Sequence, residues 1–446
     1  MQEFILVFLC IVMLCDFSIQ SLGLPSILRF LPEVISCFLL VYVLVAGTRE
    51  RFRLVAPKYW LIFGALGLVI LCGIINNNPG AGPLISGIRY YLRALPLFFL
   101  PAVFPMTEGR IKRQLKLMLV LALIQLPFAV YQRWVVMSEG RFSGDGVQGT
   151  MMDSGILSMF LICAVLVLTG VLLKRRIGNL RYLVLFLLLL FPTTINETKA
   201  TVVFLPLGLL VTLLVGAAPG KRLRYAGIAL TLLVVFGAIF VPVYNRMEAG
   251  NPDKVDIVDF FTNEQALHKY LVASDKGTGA GVGGQKMAHR GEAILVPISY
   301  LSKDPVLLAF GLGLGSASPS NFGKNFEGSY YMLFQRLLVI SFAYYVLEFG
   351  LLGTALIAVL LWMVFADSAA VARRDDTLTG ALAAGWTGVV AVFAIATLYD
   401  AYHFFTSVSF LYWYFSGIVC ARRMALHYST ARIAQPVGRA LLNPSS

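Results

Sequence analysis

Two arginines lie within one of the most apolar stretches of the chain, SGIRYYLRALPLFFLPAVF at positions 86 to 104. Arg89 and Arg93 are four residues apart, so in a helix their side chains share one face. Charged groups inside a membrane usually face a polar cavity or a ligand, although long side chains near a helix end also extend to the headgroups. Because a guanidinium group binds phosphate oxygens bidentately, the spacing favours a phosphate-binding face.

Further basic residues are predicted to lie at the same end of the protein as this pair. Arg133 and Arg141 flank the loop after the fifth apolar stretch, Lys199 lies in a turn, and Arg290 lies in a long polar loop. Each residue alone fits a solvated surface charge. Together they indicate a basic cavity at bilayer depth, which suits a membrane-embedded phosphate or diphosphate. The predicted diphosphate ligands are Arg89, Arg93, Arg141, Lys199 and Arg290.

Proton acceptors near these cations are the next candidates, because a hydroxyl nucleophile must lose its proton. His289 and Glu292 lie beside Arg290, and these three residues form the predicted catalytic set. Further candidates, each of which also fits a solvated loop charge, are Asp153, Glu327, Asp400 and His403. No cluster of Asp, Glu, His or Cys on this side has metal-ligand spacing, so neither a metal nor another cofactor is expected.

These candidates must be positioned by membrane helices. The composition is 58% hydrophobic and only 13% charged, with long apolar runs throughout, which is typical of a multi-pass membrane protein. A bilayer core of about 30 Å needs about 20 apolar residues per helix, so we expect an all-α protein with about twelve transmembrane helices. Their predicted positions are 4–22, 30–46, 58–76, 87–105, 115–134, 152–173, 182–196, 199–217, 225–244, 344–366, 378–397 and 403–420.

Basic residues in the short connecting loops indicate the orientation of the chain. Clusters such as those at 49–58, 110–116 and 174–181 alternate with loops that have almost no positive charge. By the positive-inside rule the basic loops are cytoplasmic, which places both termini in the cytoplasm. The net charge of +13 is thus mainly a topology signal, and no nucleic-acid partner is expected.

One long segment, residues 244–337, lies on the outer side in this arrangement. It is glycine-rich at first and becomes amphipathic from Ala288 onward. Loops of this length usually form lids or binding sites, although a flexible spacer is the alternative. GLGLG at 311–315 is interpreted as a tight turn, because no βαβ pattern surrounds it. The predicted divisions are helices one to nine at 1–243, the partly helical loop at 244–337, helices ten to twelve at 338–420, and a cytoplasmic tail at 421–446.

Four stretches occur in a recognisable order along the chain. They are RFSGDGVQGTMMDSGILSMFL, NETKATVVFLPLGLLVTLL, AHRGEAILVPISYLSKDPVLLAFGLGLGSAS and YYVLEFGLLGTALIAVLL. With the single long outer loop and the number of helices, this order resembles the O-antigen polymerase and O-antigen ligase superfamily over residues 85–420. Members of that superfamily act on sugars carried by undecaprenyl diphosphate on the periplasmic side of the inner membrane.

The resemblance assigns roles to individual residues. Arg141 matches an arginine before the sixth span. Arg290 matches a long-loop arginine upstream of a G-x-G turn, here Gly311 and Gly313. Lys199 stands where many members have a Ser-Arg pair, which keeps the positive charge but loses the bidentate fork.

Another motif separates the two activities of the superfamily. Its E-x-G-x-x-G motif is Glu348, Gly350 and Gly353 here, and the ligases carry a histidine about nine residues before that glutamate. Val339 occupies the corresponding position. The resemblance therefore favours a polymerase.

The expected activity is a metal-independent glycosyltransferase that polymerises undecaprenyl-diphosphate-linked repeat units of O-antigen, capsule or exopolysaccharide. The expected partners are that lipid-linked oligosaccharide, membrane lipid, a chain-length regulator and a flippase protein. The alternatives are an O-antigen ligase that transfers glycan to a lipid core, and a flippase or other transporter. Transporters usually have two related halves, which this sequence lacks. The expected location is the bacterial inner membrane, with the reaction on the periplasmic face.

Overall fold

The computed structural model of the chain describes residues 1–50, 52–136, 146–196, 198–217, 219–247, 257–263 and 289–434. Every regular element within these ranges is helical, which confirms the predicted all-α class. In chain order the α-helices are α1 Gln2–Leu22, α2 Leu31–Glu50, α3 Pro57–Asn77, α4 Ala81–Leu92, α5 Leu95–Val103, α6 Glu108–Tyr131, α7 Ser154–Leu173, α8 Asn179–Ile195, α9 Ala200–Gly216, α10 Arg222–Met247, α11 Ile257–Thr262, α12 Arg290–Leu301, α13 Pro305–Phe310, α14 Tyr331–Phe334, α15 Ser341–Arg374, α16 Leu378–Ala396 and α17 Thr406–Ala434.

Within the described residues, 8 helices are long and apolar enough to cross a membrane, as expected of a multi-pass membrane protein. They are α1, α2, α3, α6, α7, α10, α15 and α16. The helices α8 and α9 are apolar but only 17 residues long. A helix lies at every predicted position, but the total of twelve spans stays a prediction.

The fourth predicted segment, 87–105, is wrong as a single helix. Two helices, α4 and α5, replace it, and the helical hydrogen bonding is interrupted at Arg93 and Ala94. Pro96 lies in the first turn of α5, where its ring and its missing N–H prevent a continuous helix through the preceding turn. As a result, Arg89 lies in the last turn of a short helix, and Arg93 is its C-cap.

The core of the bundle is α16, which packs against α7, α9 and α15. A Cβ atom on Gly385 would overlap the Leu166 carbonyl oxygen of α7, and one on Gly388 would overlap the Thr212 hydroxyl of α9. Small residues at such positions let membrane helices approach closely. This packing holds the end of α16, and the turn that follows it, beside the starts of α7 and α9.

The helices leave two polar ends, which we name by their contents. The basic end holds the turns at 52–56, 104–107, 174–178 and 375–377. Ion pairs at 2.7 to 2.8 Å between nitrogen and oxygen are found there for Lys58–Asp367, Lys174–Asp376 and Arg422–Asp375. The loop end holds the segments 23–30, 146–153, 289–340 and 397–405. The side of the membrane that each end faces stays a prediction.

The described part of the long loop beyond residue 288 is partly helical, as its amphipathic spacing predicts. It forms α12, α13, a glycine turn at 311–315 and α14. In that turn Gly311, Gly313 and Gly315 have φ angles of +72°, +89° and +84°, which glycine reaches without steric cost. The interpretation of GLGLG as a tight turn is confirmed.

A buried carboxylate in α15 holds the glycine turn. Glu348 accepts hydrogen bonds from the Gly315 amide at 2.9 Å, the Ala317 amide at 3.0 Å and the Ser318 hydroxyl at 2.7 Å. Gly350 has a φ of +66° inside α15, and a Cβ atom there would overlap the backbone of Ala309. The E-x-G-x-x-G motif therefore docks the long loop onto the bundle.

Candidate active site at the loop end

Glu33, near the start of α2, is the partner of the arginine pair. Its carboxylate accepts from Arg89 Nε at 2.6 Å and from Arg93 Nη1 at 2.8 Å. The exposed fractions of the two arginine side chains are only 8% and 4%, so one buried carboxylate faces two guanidinium groups. Sequence analysis missed Glu33, although it is the one charged residue inside the predicted span 30–46, where a charge needs a partner.

Both arginines also contact other segments of the loop end. Arg93 donates from Nη2 to the Phe404 carbonyl oxygen. The Arg89 guanidinium lies 4.8 Å from the ring centroid of Phe30 and 5.0 Å from that of Phe322. These contacts give the pair a positioning role, and direct binding of a diphosphate by the pair stays a prediction.

The turn between α16 and α17, residues 397–405, is fastened to the start of α15. Ser341 donates its amide at 3.1 Å and its hydroxyl at 3.0 Å to the Asp400 carbonyl oxygen. Nδ1 of His403 forms a hydrogen bond of 2.8 Å with the same hydroxyl. His403 therefore helps to fasten the turn to the start of α15.

Two aspartates meet beside Gly155 at the start of α7. Asp153 caps this helix, because its Oδ1 accepts from the Gly155 amide at 2.7 Å. A Cβ atom on Gly155 would lie 2.9 Å from Asp153 Oδ1 and 3.6 Å from both Asp400 Oδ2 and the Tyr402 hydroxyl oxygen. Two carboxyl groups and a phenol thus lie close to the Gly155 backbone, where a larger residue would crowd Asp153.

Asp400 has the protonation behaviour of an acid–base group. Burial raises its pKa to about 7; the nearby Asp153 charge also raises it, while the Ala401 amide and Arg290 lower it. The Ala401 amide donates to Asp400 Oδ1 at 2.6 Å. A carboxyl group with this pKa exchanges protons readily at neutral pH, and pairs of carboxyl groups in unlike environments are typical of acid–base sites.

Arg290 supplies a positive charge next to these carboxyl groups. Its Nε donates to the Tyr399 carbonyl oxygen at 3.1 Å, and its guanidinium lies 4.4 Å from the centroid of the Tyr399 ring. These contacts join the first residue of α12 to the turn 397–405. The structure therefore brings the predicted Arg290 together with Asp400, which sequence analysis named only as a further candidate.

His289 and Glu292, the predicted proton acceptors, cap the N-terminus of α12. The Glu292 carboxylate accepts from the His289 amide at 3.3 Å, and the His289 side chain accepts from the backbone of Glu292. Such a capping box satisfies amides that the helix leaves unpaired. These contacts stabilise the start of α12, which gives both residues a structural role. A catalytic role for either residue stays a prediction.

Comparison with known proteins leaves the family open. No family model and no curated protein matches this chain. The likeness to O-antigen polymerases and ligases therefore remains an expectation from the sequence.

Lys199 is the N-cap residue of α9, at the same end of the bundle. In the preceding turn, Asn196 donates to the Ser154 carbonyl oxygen at 3.0 Å and to the Ser158 hydroxyl at 2.8 Å. These buried hydrogen bonds tie the turn that carries Lys199 to the start of α7. Arg141, the remaining predicted ligand, lies outside the described residues.

Gln125 of α6 and Gln132, which directly follows α6, hold the segment that leads into α7. Gln132 accepts from the Gly149 amide at 2.7 Å and donates to the Gly149 carbonyl oxygen at 2.8 Å. Gln125 accepts from the Thr150 amide at 2.8 Å and donates to the Thr150 hydroxyl at 2.8 Å. Sequence analysis missed both residues. Two glutamines seven residues apart on an apolar helix are nevertheless a detectable signal, because buried amides need partners.

Proposed function

We propose that this chain is a glycosyltransferase that polymerises oligosaccharide repeat units carried on undecaprenyl diphosphate, at the periplasmic face of a bacterial inner membrane. The observation that supports this most is the Asp400 carboxyl group, with a pKa of about 7, beside Arg290 at one end of a membrane-helix bundle. Sugar transfer to a hydroxyl needs a proton acceptor. A diphosphate leaving group needs cations rather than an acid.

The proposed reaction makes one bond and breaks one. Asp400 accepts the proton of an acceptor hydroxyl while the hydroxyl oxygen attacks the anomeric carbon of the donor sugar. The bond between that carbon and the diphosphate oxygen breaks, and undecaprenyl diphosphate leaves as an anion. Arg290 and Lys199 stabilise the charge that develops on this oxygen, because preorganised cations act most strongly where water is excluded.

An apolar cavity below the turn 397–405 supports a lipid-linked donor. It has a volume of about 390 Å³ and lies between α9, α15 and α16, with Phe342, Tyr345 and Thr397 in its wall. The Phe342 amide donates to the Thr397 carbonyl oxygen at 3.0 Å. Because Thr397 is three residues before Asp400, the prenyl chain of a bound donor has an apolar path next to the reacting carboxyl group.

The test uses purified protein in detergent with a synthetic undecaprenyl-diphosphate oligosaccharide and no nucleotide. Mass spectrometry should detect saccharides of two or more repeat units. Asp400→Asn keeps the shape of the side chain but not the proton acceptor, so its rate should fall at least about hundredfold. Arg290→Ala removes a cation at the leaving group and should lower the rate by about the same factor.

The matched control is Asp304→Asn. Asp304 is an exposed cap of α13 in the same loop, and its carboxylate accepts from the Val306 amide at 2.8 Å. Asparagine also caps helices, so the rate should equal that of the wild type. Full activity of Asp400→Asn would remove this carboxyl group from the mechanism. Transfer to an added lipid core would favour a ligase, and movement of the donor across vesicles without new bonds would favour a transporter.

A further inference from the structure

A second apolar groove lies between α6, α7, α16 and α17. Its volume is about 350 Å³, which is within the range of roughly 300–1,000 Å³ for ligand sites. Its wall on α16 runs from Leu378 to Phe393, which is about 22 Å at 1.5 Å per residue. One leaflet of a bilayer core is only about 15 Å thick. The groove is therefore long enough for an extended acyl chain.

Cationic side chains lie where this groove reaches the basic end. Lys112, Lys116 and Arg176 are among its lining residues. Arg176 is held by two contacts, because its Nη1 lies 3.5 Å from Glu108 Oε1 and its Nη2 donates to the Asp376 carbonyl oxygen at 2.8 Å. Lys112 and Lys116 are exposed, and neither forms an ion pair with another residue in the described part of the chain.

The two lysines lie one helical turn apart on α6, so their like charges repel each other. With Arg176 they give three positive charges, and among the described carboxylates only Glu108 is within salt-bridge distance of them. An anion placed between them would remove this repulsion. A free phosphate would satisfy the cations but would leave the apolar groove unfilled, whereas a lipid phosphate would satisfy both.

We propose that this groove binds an anionic phospholipid, with the lipid phosphate at Lys112, Lys116 and Arg176 and one acyl chain along α16. The site does not depend on the proposed enzymatic function. It differs from the donor site, because Asp400 and Arg290 lie at the opposite end of the bundle. If the basic end is cytoplasmic, the lipid belongs to the leaflet whose anionic headgroups attract basic segments.

Native mass spectrometry of the purified chain in detergent measures binding of phosphatidylglycerol and of phosphatidylcholine with the same acyl chains. We expect phosphatidylglycerol to bind about tenfold more tightly, because only this lipid has a net negative charge. Lys112→Gln combined with Lys116→Gln should weaken its binding roughly 25-fold, about fivefold for each lysine. Ala164→Phe, which narrows the groove, should weaken the binding of both lipids.

The matched control is Lys221→Gln combined with Arg224→Gln, which removes two exposed positive charges from the basic end outside the groove. Equal losses in the two double variants would overturn the proposal, since only net charge would then matter. Equal affinity for the two lipids would also overturn it, as would displacement of phosphatidylglycerol by glycerol 3-phosphate. The proposal would also be wrong if undecaprenyl phosphate displaces phosphatidylglycerol and binds the Lys112→Gln, Lys116→Gln variant normally. The groove would then bind a prenyl chain and not a phospholipid.

Discussion

The ionised form of Asp400, which the proposed reaction uses, lowers the stability of the fold. Burial and the Asp153 charge raise its pKa to about 7 in the folded chain, whereas an aspartate in an unfolded chain titrates near about 3.9. Between these values the folded state binds more protons than the unfolded state. The stability that the protonated group contributes is present below about pH 4 and is lost as the pH rises through about 7.

The rate of polymerisation should therefore rise with pH and level off above about pH 7. Only the ionised carboxyl group accepts a proton, so the rate should fall about tenfold for each pH unit below that value. Initial rates between pH 5 and pH 9, at saturating donor, measure the profile. A profile that is flat through pH 7 would contradict the assignment.

Thermal unfolding of Asp400→Asn is the control for this prediction. Asparagine does not ionise, so the variant should melt at a higher temperature than the wild type at pH 8, with a difference that shrinks toward pH 5. A residue with only a structural role would lower the melting temperature at both pH values.

Part of the site was predictable from residue types and spacing. Arg290 was predicted because several basic residues were expected at the same end of the bundle and because the resemblance matches it to a long-loop arginine. Asp400 ranked below His289 and Glu292 because its raised pKa depends on burial and on Asp153, which is distant in sequence. His289 and Glu292 form the capping box of α12, and their predicted catalytic role stays a prediction.

The turn 397–405 depends on elements far from it in the sequence. Glu33 of α2 holds Arg93 at the end of α4, and Arg93 in turn binds the Phe404 carbonyl oxygen. Glu33 is 56 residues from Arg89 and 60 from Arg93, so no local pattern connects them. The lengths of the long apolar helices were predictable, because the thickness of the bilayer's hydrocarbon core sets the number of apolar residues that a spanning helix needs. The break before Pro96 had a local signal, because proline disfavours a helix through the preceding turn. The signal is ambiguous, since Pro127 lies inside α6 without ending it.

Glu33→Gln should destabilise the protein strongly, because it leaves two buried guanidinium groups without a negative partner. Breaking a buried ion pair from one side typically costs about 3–5 kcal/mol. The melting temperature in detergent should fall, and the rate of polymerisation should fall with it as the turn 397–405 loses its support.

The exposed pair of Glu3 and Arg113 provides the comparison. Their charged atoms are 3.2 Å apart, with side chains 76% and 67% exposed. Exposed pairs contribute at most about 1 kcal/mol, so Glu3→Gln should change the melting temperature little. Equal melting temperatures for the two variants would show that Glu33 does not support the loop end.

The two ends of the whole molecule differ in charge. Basic residues and their carboxylate partners occupy one end, whereas the other end holds the long loop and the Asp153–Asp400 site. Composition alone predicted a helical membrane protein. It did not fix the number of spans, because α4, α5, α8 and α9 are each shorter than a bilayer core requires.

The positive-inside rule predicts that the basic end is cytoplasmic. In a variant without the six native cysteines, Lys303→Cys should react with a membrane-impermeant maleimide in intact cells. Lys221→Cys should react only after lysis, because Lys221 lies at the basic end. Both lysines are exposed. The reverse labelling pattern would overturn the predicted orientation.

The long loop is anchored to the bundle near its glycine turn. Gly311 lies against the backbone of Gly350, and the Leu312 amide donates to the Leu347 carbonyl oxygen at 2.7 Å. We therefore expect the glycine turn to keep its place against α15 between successive sugar additions. In a polymerase, the product would then leave only by diffusion of the glycan and not by movement of the loop. Slow release of this kind would favour processive synthesis.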